Sequence, residues 1–255
     1  AKASQIPGYE VSLRSAKFEI WRAFLSAKAL RNGGNMEETK KFSLLFGTTN
    51  AGKLAAMRNY LRGMDEVELI GLGDLPLRVL EPEEDGRDMM ENARKKALYY
   101  CDAFQRPVIS VDSGLYIEGL PEEEQPGAFV RRVGGRALTD GEMRAHYKGI
   151  AKRLGGRCVA QYRNAVCLAF SEEEIYCSQD GDLAWERFYL CQDERPQRIE
   201  GFPLDAISQE YPSGRHFYDI GEWTPVEEDG AGFRRFLKEA LRAHAAKIAE
   251  KEDGT

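Results

Sequence analysis

Phe42-Ser-Leu-Leu-Phe46-Gly-Thr-Thr-Asn-Ala-Gly-Lys53 is a short apolar block followed by a glycine-bounded polar bend. Behind it, Leu54, Met57 and Leu61 recur at helical spacing. The block reads as a buried strand and the segment from Lys53 to Leu61 as a helix. A strand feeding a helix in this way opens an α/β sheet. The bend also suits an anion, because the first N–H groups of a helix lack partners inside it and Lys53 adds a point charge. The spacing is that of a P-loop, G-x-x-x-x-G-K, but position 54 is Leu, where a P-loop holds magnesium through Ser or Thr. A phosphate-gripping loop of another kind is the favoured reading, ahead of a P-loop and of a plain strand-to-helix turn.

The alternation continues outward. Val67 to Ile70 predicts a second strand, and Asp88 to Ala103 a helix, with Met89, Asn92, Ala93, Lys96, Ala97 and Tyr100 on one face. Pro107 to Val111 predicts a third strand ending in a turn at Asp112-Ser-Gly114. Thr139, with Glu142 three residues on, predicts a capping box and a helix to about Leu154. Cys158 to Phe170 and Glu174 to Tyr189 alternate like the two strands of a hairpin, and Phe233 to Ile248 reads as a C-terminal helix. Together these predict an α/β fold with a mixed sheet. Residues 1–35 stand apart: they carry a net charge of +4 against −10 for the rest, and end in the breaker cluster Arg31-Asn-Gly-Gly-Asn35. They are expected to be an N-terminal extension outside a catalytic domain spanning 36–255.

Composition narrows the chemistry. The 255 residues are 42% hydrophobic, enough for a sizeable core, and no run approaches the roughly 20 apolar residues of a membrane helix. A net charge of −6 argues against a general nucleic-acid binder. The five cysteines include no C-x-x-C pair, so a disulfide framework or zinc knuckle is not expected and a reducing, cytoplasmic setting fits. The three histidines sit in no zinc-hydrolase frame. Acidic residues must then hold any metal, which favours a hard cation such as magnesium.

Two more segments can carry chemistry. Glu81-Pro-Glu-Glu-Asp85 crowds four acids ahead of the helix on which Asn92 and Lys96 share a face. A divalent cation would relieve the repulsion, although a solvated acidic loop is the plainer reading. Asp112 follows an apolar strand, a position from which it can bind metal or activate water. Tyr99, Tyr100, Phe233, Phe236 and Leu237 read as core, Glu122–Glu124 and Glu172–Glu174 as solvated loops, and His216 and His244 as surface residues.

In order and spacing, these segments resemble the inosine triphosphate pyrophosphatase family, the Ham1-like enzymes that remove deaminated purines from the nucleotide pool. Thr48, Asn50 and Lys53 stand in its T-x-N-x-x-K; Glu81 to Ala97 follows its E-P-E-E-T-G-x-T-F-x-E-N-A-x-x-K-A without a gap. Asp112-Ser-Gly-Leu115 matches its D-D-S-G-L, and Pro126-Gly-Ala-Phe-Val-Arg-Arg132 its P-G and arginine-containing stretch. The resemblance, good over about residues 41–205, implies an elongated, two-lobed mixed-sheet molecule with a central cleft, usually a homodimer. It implies that water attacks between the α and β phosphates of a nucleoside triphosphate, giving a monophosphate and pyrophosphate with Mg2+ as cofactor. By matched position, Thr48, Asn50, Lys53, Lys96 and Ser113 would contact phosphate. Glu84, with Glu83, and Asp112 would hold the metal, and Asp112 would be the general base.

The departures are specific. The acid before Asp112 is Val111 here. The family's F-G-Y-D-P is Phe202-Pro-Leu-Asp-Ala206, keeping Phe202 and Asp205 for the base. Its K-x-x-x-S-H-R is absent: alignment on Thr224 places Arg234 there, with Glu228 for the lysine, and alignment on the helix end places Asp229-Gly230. Rival readings are a P-loop kinase or ATPase, which releases orthophosphate or transfers a phosphoryl group, and a nucleotide-binding protein without turnover.

Overall fold

The computed structural model describes residues 41–198, 202–220 and 230–253. The expected N-terminal extension, Trp223, Thr224, Glu228 and Asp229 lie outside the described residues. Strand β1 (Phe42–Phe46) leads through the polar bend into α1 (Ala51–Tyr60) and back to β2 (Val67–Gly71), which pairs parallel with β1. Helix α2 (Met89–Phe104) then leads to β3 (Val108–Ile117) on the other side of β1. A small hairpin, β4 (Arg132–Val133) and β5 (Arg136–Ala137), precedes α3 (Asp140–Arg153). Strand β6 (Arg157–Ala169) runs antiparallel to β3, followed by β7 (Ile175–Ser178), β8 (Phe188–Cys191), β9 (Ser208–Glu210) and helix α4 (Ala231–Asp253). The sheet order is β2-β1-β3-β6-β8-β9, with β7 on β6, so the mixed α/β sheet predicted from sequence is what forms. Among the described residues no helix is long and apolar enough to cross a membrane.

The predicted capping box forms, and the structure adds a second cap. Thr139 and Glu142 form a reciprocal box at the start of α3, and the Asp88 side chain accepts from the Glu91 N–H at 2.8 Å to start α2. Such caps each contribute about 1 kcal/mol.

Two expectations fail for tertiary reasons. β3 does not stop at Val111: all ten of its residues pair with β6, from Val108 opposite Ala169 to Ile117 opposite Ala160. The turn expected at Asp112-Ser-Gly114 is absorbed into the strand because a long antiparallel partner is present. The second hairpin strand divides instead, β7 pairing with the distal half of β6 and β8 with its start. That division brings Cys167 opposite Cys177, and the two are joined as a disulfide. Sequence spacing hides this pairing, since it arises from cross-strand register.

The core divides along β3 and β6. Ile109, Val111, Val166 and Leu168 pack with α1 and α4, while Val108, Ala165 and Cys167 pack with α2. The far ends, Leu115, Ile117, Cys158 and Ala160, pack in a separate cluster with α3. Asp112, Ser113 and Asn164 lie where those clusters part. The two long strands therefore carry polar side chains through the waist between two apolar lobes.

Candidate active site

At that waist, β1 has already ended: its last pair with β3 joins Phe46 to Ile109. Beyond it, no strand among the described residues pairs with β3 on the β1 side at Asp112, while β6 still holds it on the other. This leaves a buried carboxylate on a strand that β1 no longer flanks. Helix α2 covers it from one face. Buried Asn92 donates from Nδ2 to Asp112 Oδ2 at 3.1 Å, and buried Lys96, one turn on, reaches Asp112 Oδ1 at 3.3 Å. The Lys96 ammonium also donates to Glu84 Oε1 at 2.7 Å and to the Val111 carbonyl at 3.2 Å. All three of its protons are thus used, which offsets the desolvation of a buried charge.

The acidic loop is pinned to the same helix. The Gly86 N–H donates to Asn92 Oδ1 at 2.8 Å, and a Cβ at Gly86 would lie 2.5 Å from that oxygen. Only glycine lets the loop approach this closely, and the approach brings Glu84 over Lys96. Burial raises the Glu84 pKa, but the Lys96 charge and hydrogen bond, with the Lys53 and Arg132 charges, outweigh it and hold the carboxyl below its ordinary value.

The polar bend supplies the facing wall. Asn50 caps α1, its side chain accepting from the Lys53 N–H at 3.0 Å, and Thr48 Oγ1 accepts from the Asn50 N–H at 3.2 Å. Burial and the neighbouring Lys96 charge lower the Lys53 pKa, while Asp112 and Glu84 oppose them. Lys53, Lys96, Glu84 and Asp112 therefore share one electrostatic neighbourhood. On the sheet's other face, Ser113 Oγ donates to Asn164 Oδ1 at 2.7 Å, and Asn164 Nδ2 donates to the Leu183 carbonyl at 2.6 Å.

Phe202 lies directly on the bend: a Cβ at Gly52 would fall 1.9 Å from its Cε2. Asp205 follows one turn later, its N–H donating to the Phe202 carbonyl at 3.2 Å. Burial lifts its carboxyl from an ordinary 3.8 to about 6. Among the described residues no donor reaches that carboxylate.

Most of the residues expected from sequence are thus brought together, but not all. Arg234 donates to the Tyr60 carbonyl at 2.6 Å, at the opposite end of α1 from Asn50 and about 15 Å away along a 10-residue helix. Among the described residues no group of three acids, histidines or cysteines forms a ready metal site. Val111, standing where the family has an acid, turns its side chain into the core and only its carbonyl toward Lys96. Helical spacing had already put Asn92 on the Lys96 face. Gly86 stands at the glycine of the Glu81–Ala97 motif, whereas the role of Asn164 and the Gly52–Phe202 contact carried no sequence signal, because each depends on a residue distant in the chain.

Some plainer expectations are also corrected. His216 is buried, and the His244 ring stacks on Phe170 with Nδ1 2.8 Å from Glu174 Oε1. Glu174 is therefore a packed residue, whereas Glu122–Glu124 are exposed as expected. Tyr100, Phe233, Phe236 and Leu237 are core, and Tyr99 is partly exposed.

The Ham1 family's sequence profile matches residues 44–187. A dITP/XTP pyrophosphatase of Rhodopseudomonas palustris is 32% identical over 194 residues, which is 73% of this chain and 84% of that protein. A dITP/XTP pyrophosphatase of Deinococcus deserti is 29% identical over 213 residues, 83% of this chain and 90% of that one. The solved structure of a HAM1 protein from Coxiella burnetii, 23% identical, superposes with a TM-score of 0.52 over 82% of this chain and 99% of its own, a likeness of fold.

Proposed function

The chain belongs to the Ham1 family, and from that premise we propose that it hydrolyses non-standard purine nucleoside triphosphates (ITP, dITP or XTP) to the monophosphate and pyrophosphate. The observation that carries this reading is the Lys96 ammonium. It is gripped by Glu84 at 2.7 Å and by Asp112 at 3.3 Å, within the field of Lys53. The substrate's phosphates lie against the Thr48–Lys53 bend, where the positive end of α1 and the lysine charge attract anionic oxygens. Lys96 gives up one of its present acceptors to hydrogen-bond a phosphate oxygen, and Ser113 turns its hydroxyl proton from Asn164 to the same chain of phosphates. Asp112, oriented by Asn92, takes the proton of the water that attacks the α phosphorus. Phe202 meets the purine, with Asp205 at its edge.

The site suits a divalent cation. Two hard oxygen donors reach one ammonium nitrogen from two separate segments, and magnesium takes one or two carboxylates plus phosphate oxygens. Glu84 and Asp112 would hold it, with Glu83 at the rim. Bound there, it would neutralise triphosphate charge. The reading carries with it a cytoplasmic homodimer. Arg234 is left out of the base-binding set because it is engaged at Tyr60.

The decisive experiment is a panel of nucleoside triphosphates with Mg2+, assayed for pyrophosphate against orthophosphate. Pyrophosphate from ITP, dITP or XTP, at rates well above ATP, supports the reading. Orthophosphate release would point to a kinase or ATPase, and saturable binding without product to a protein that only binds nucleotide.

A further inference from the structure

The loop from Pro126 to Arg132 is tied down at several points. Gly127 and Leu115 exchange both backbone hydrogen bonds, at 2.9 and 3.0 Å. A Cβ on Gly114 would lie 2.9 Å from Gly127, so the loop rests on the residues directly after Asp112. Tyr147 donates its hydroxyl to the Val130 carbonyl at 2.9 Å. The two arginines that follow differ sharply. Arg131 is committed, donating to Asp140 Oδ1 at 2.7 Å and to the Leu138 carbonyl at 3.2 Å, and its charge is felt at Tyr162, beside Asp205. Arg132 points elsewhere, as neighbours in an extended segment do. It opens β4, is exposed, and its guanidinium has no hydrogen bond or ion pair among the described residues. Its charge is felt at Glu84 and Asp85 in the acidic loop. It also borders a cavity of about 550 Å3, shared with Phe129, His146, Tyr147 and Arg153.

We propose that Arg132 is a substrate-contacting residue that binds the β and γ phosphates, the half of the triphosphate that leaves as pyrophosphate. The assignment rests on the hydrolytic reading above and deepens it. The α phosphate must lie at Asp112 and the nucleoside toward Phe202, so the distal phosphates extend toward Glu84 and the acidic loop. There Lys96 is already saturated, and Arg132 is a guanidinium with its donors unspent. A planar fork of donors matches two phosphate oxygens at once, which a lysine cannot do.

The test uses the full chain with Mg2+, inorganic pyrophosphate and inosine monophosphate as separate calorimetric probes, and the variants Arg132→Ala and Arg132→Lys. Because this side chain holds nothing else in place among the described residues, both variants should melt with the wild type. Pyrophosphate affinity should fall at least about tenfold in Arg132→Ala, as for loss of a hydrogen bond to a charged group, and recover partly in Arg132→Lys. Monophosphate affinity should change less than about twofold. Equal pyrophosphate binding by wild type and Arg132→Ala, or no pyrophosphate binding by either, overturns the assignment. So does a monophosphate loss as large as the pyrophosphate loss, which would move Arg132 to the nucleoside end. The hydrolytic reading fails on a different result, the absence of pyrophosphate release by the wild type, and the binding arm does not depend on turnover.

Discussion

The two ends of the site are built on opposite terms. At the phosphate end, Lys96, Glu84, Asp112 and Asn92 satisfy one another before any ligand arrives: each carboxylate has a donor, and every ammonium proton an acceptor. At the other end, Asp205 is desolvated with no donor among the described residues, and the Phe202 ring rests against Gly52. Phosphate binding is thus prearranged, whereas the end that meets the base is left unsatisfied. A buried group without a partner rejects ligands that fail to supply one, so discrimination belongs where the structure is incomplete.

That contrast can be broken at its strongest point. Asp112→Asn keeps the Asn92 contact but removes the proton acceptor. Pyrophosphate release should fall about 10³-fold, within the range for a lost general base, while equilibrium nucleotide binding stays within a few-fold. Activity close to wild type would remove Asp112 from its role. Lys96→Met leaves Glu84 and buried Asp112 without their shared cation. Activity should fall about a hundredfold, and urea unfolding should show a loss of about 3 kcal/mol, as expected when one partner of a buried charge cluster is removed. A variant as stable as the wild type would show that the cluster is not satisfied in the way described.

The base end should respond more gently. Gly52→Ala places a methyl group where the Phe202 ring now lies, so the ring must move. KM for the triphosphate should rise about tenfold, while affinity for inorganic pyrophosphate holds. A parallel loss of both would mean that the two ends are not separable. The smallest effect concerns pH. Because the folded Asp205 pKa of about 6 lies above its ordinary 3.8, its contribution to stability is full below about pH 4, is lost as pH rises to about 6, and stays lost above. Asp205→Asn should therefore be more stable than wild type at pH 7.5, by about 1–2 kcal/mol after discounting for partial exposure. The two melting curves should merge near pH 4. A constant difference across that range would assign the effect to packing rather than to ionisation.

How far the sequence reached depends on the range of the interaction. The element bounds at β1, α1, α2 and α3 follow from periodicity and caps, which act within a few residues. Ser171–Glu173 was read as the single link of one hairpin, but the strand beyond it divides. Its pairing depends on the length of β6, whose partner residues lie as far apart in the chain as Arg157 and Cys191. The disulfide between Cys167 and Cys177 stayed hidden for the same reason.

By itself, the sequence determined the chemistry available: a lysine-bearing bend at a helix start, an acidic loop ahead of an Asn92–Lys96 face, and an aspartate on an apolar strand. Local propensity and residue type suffice for that. Only the tertiary structure decided which groups satisfy each other. Lys96 is spent on Glu84 and Asp112, Arg234 is held at Tyr60, and among the described residues Arg132 keeps unspent donors and Asp205 an unpaired carboxylate. Hydrogen bonds and desolvation depend on separations of a few ångströms, and those are fixed when distant segments pack at the waist between two cores.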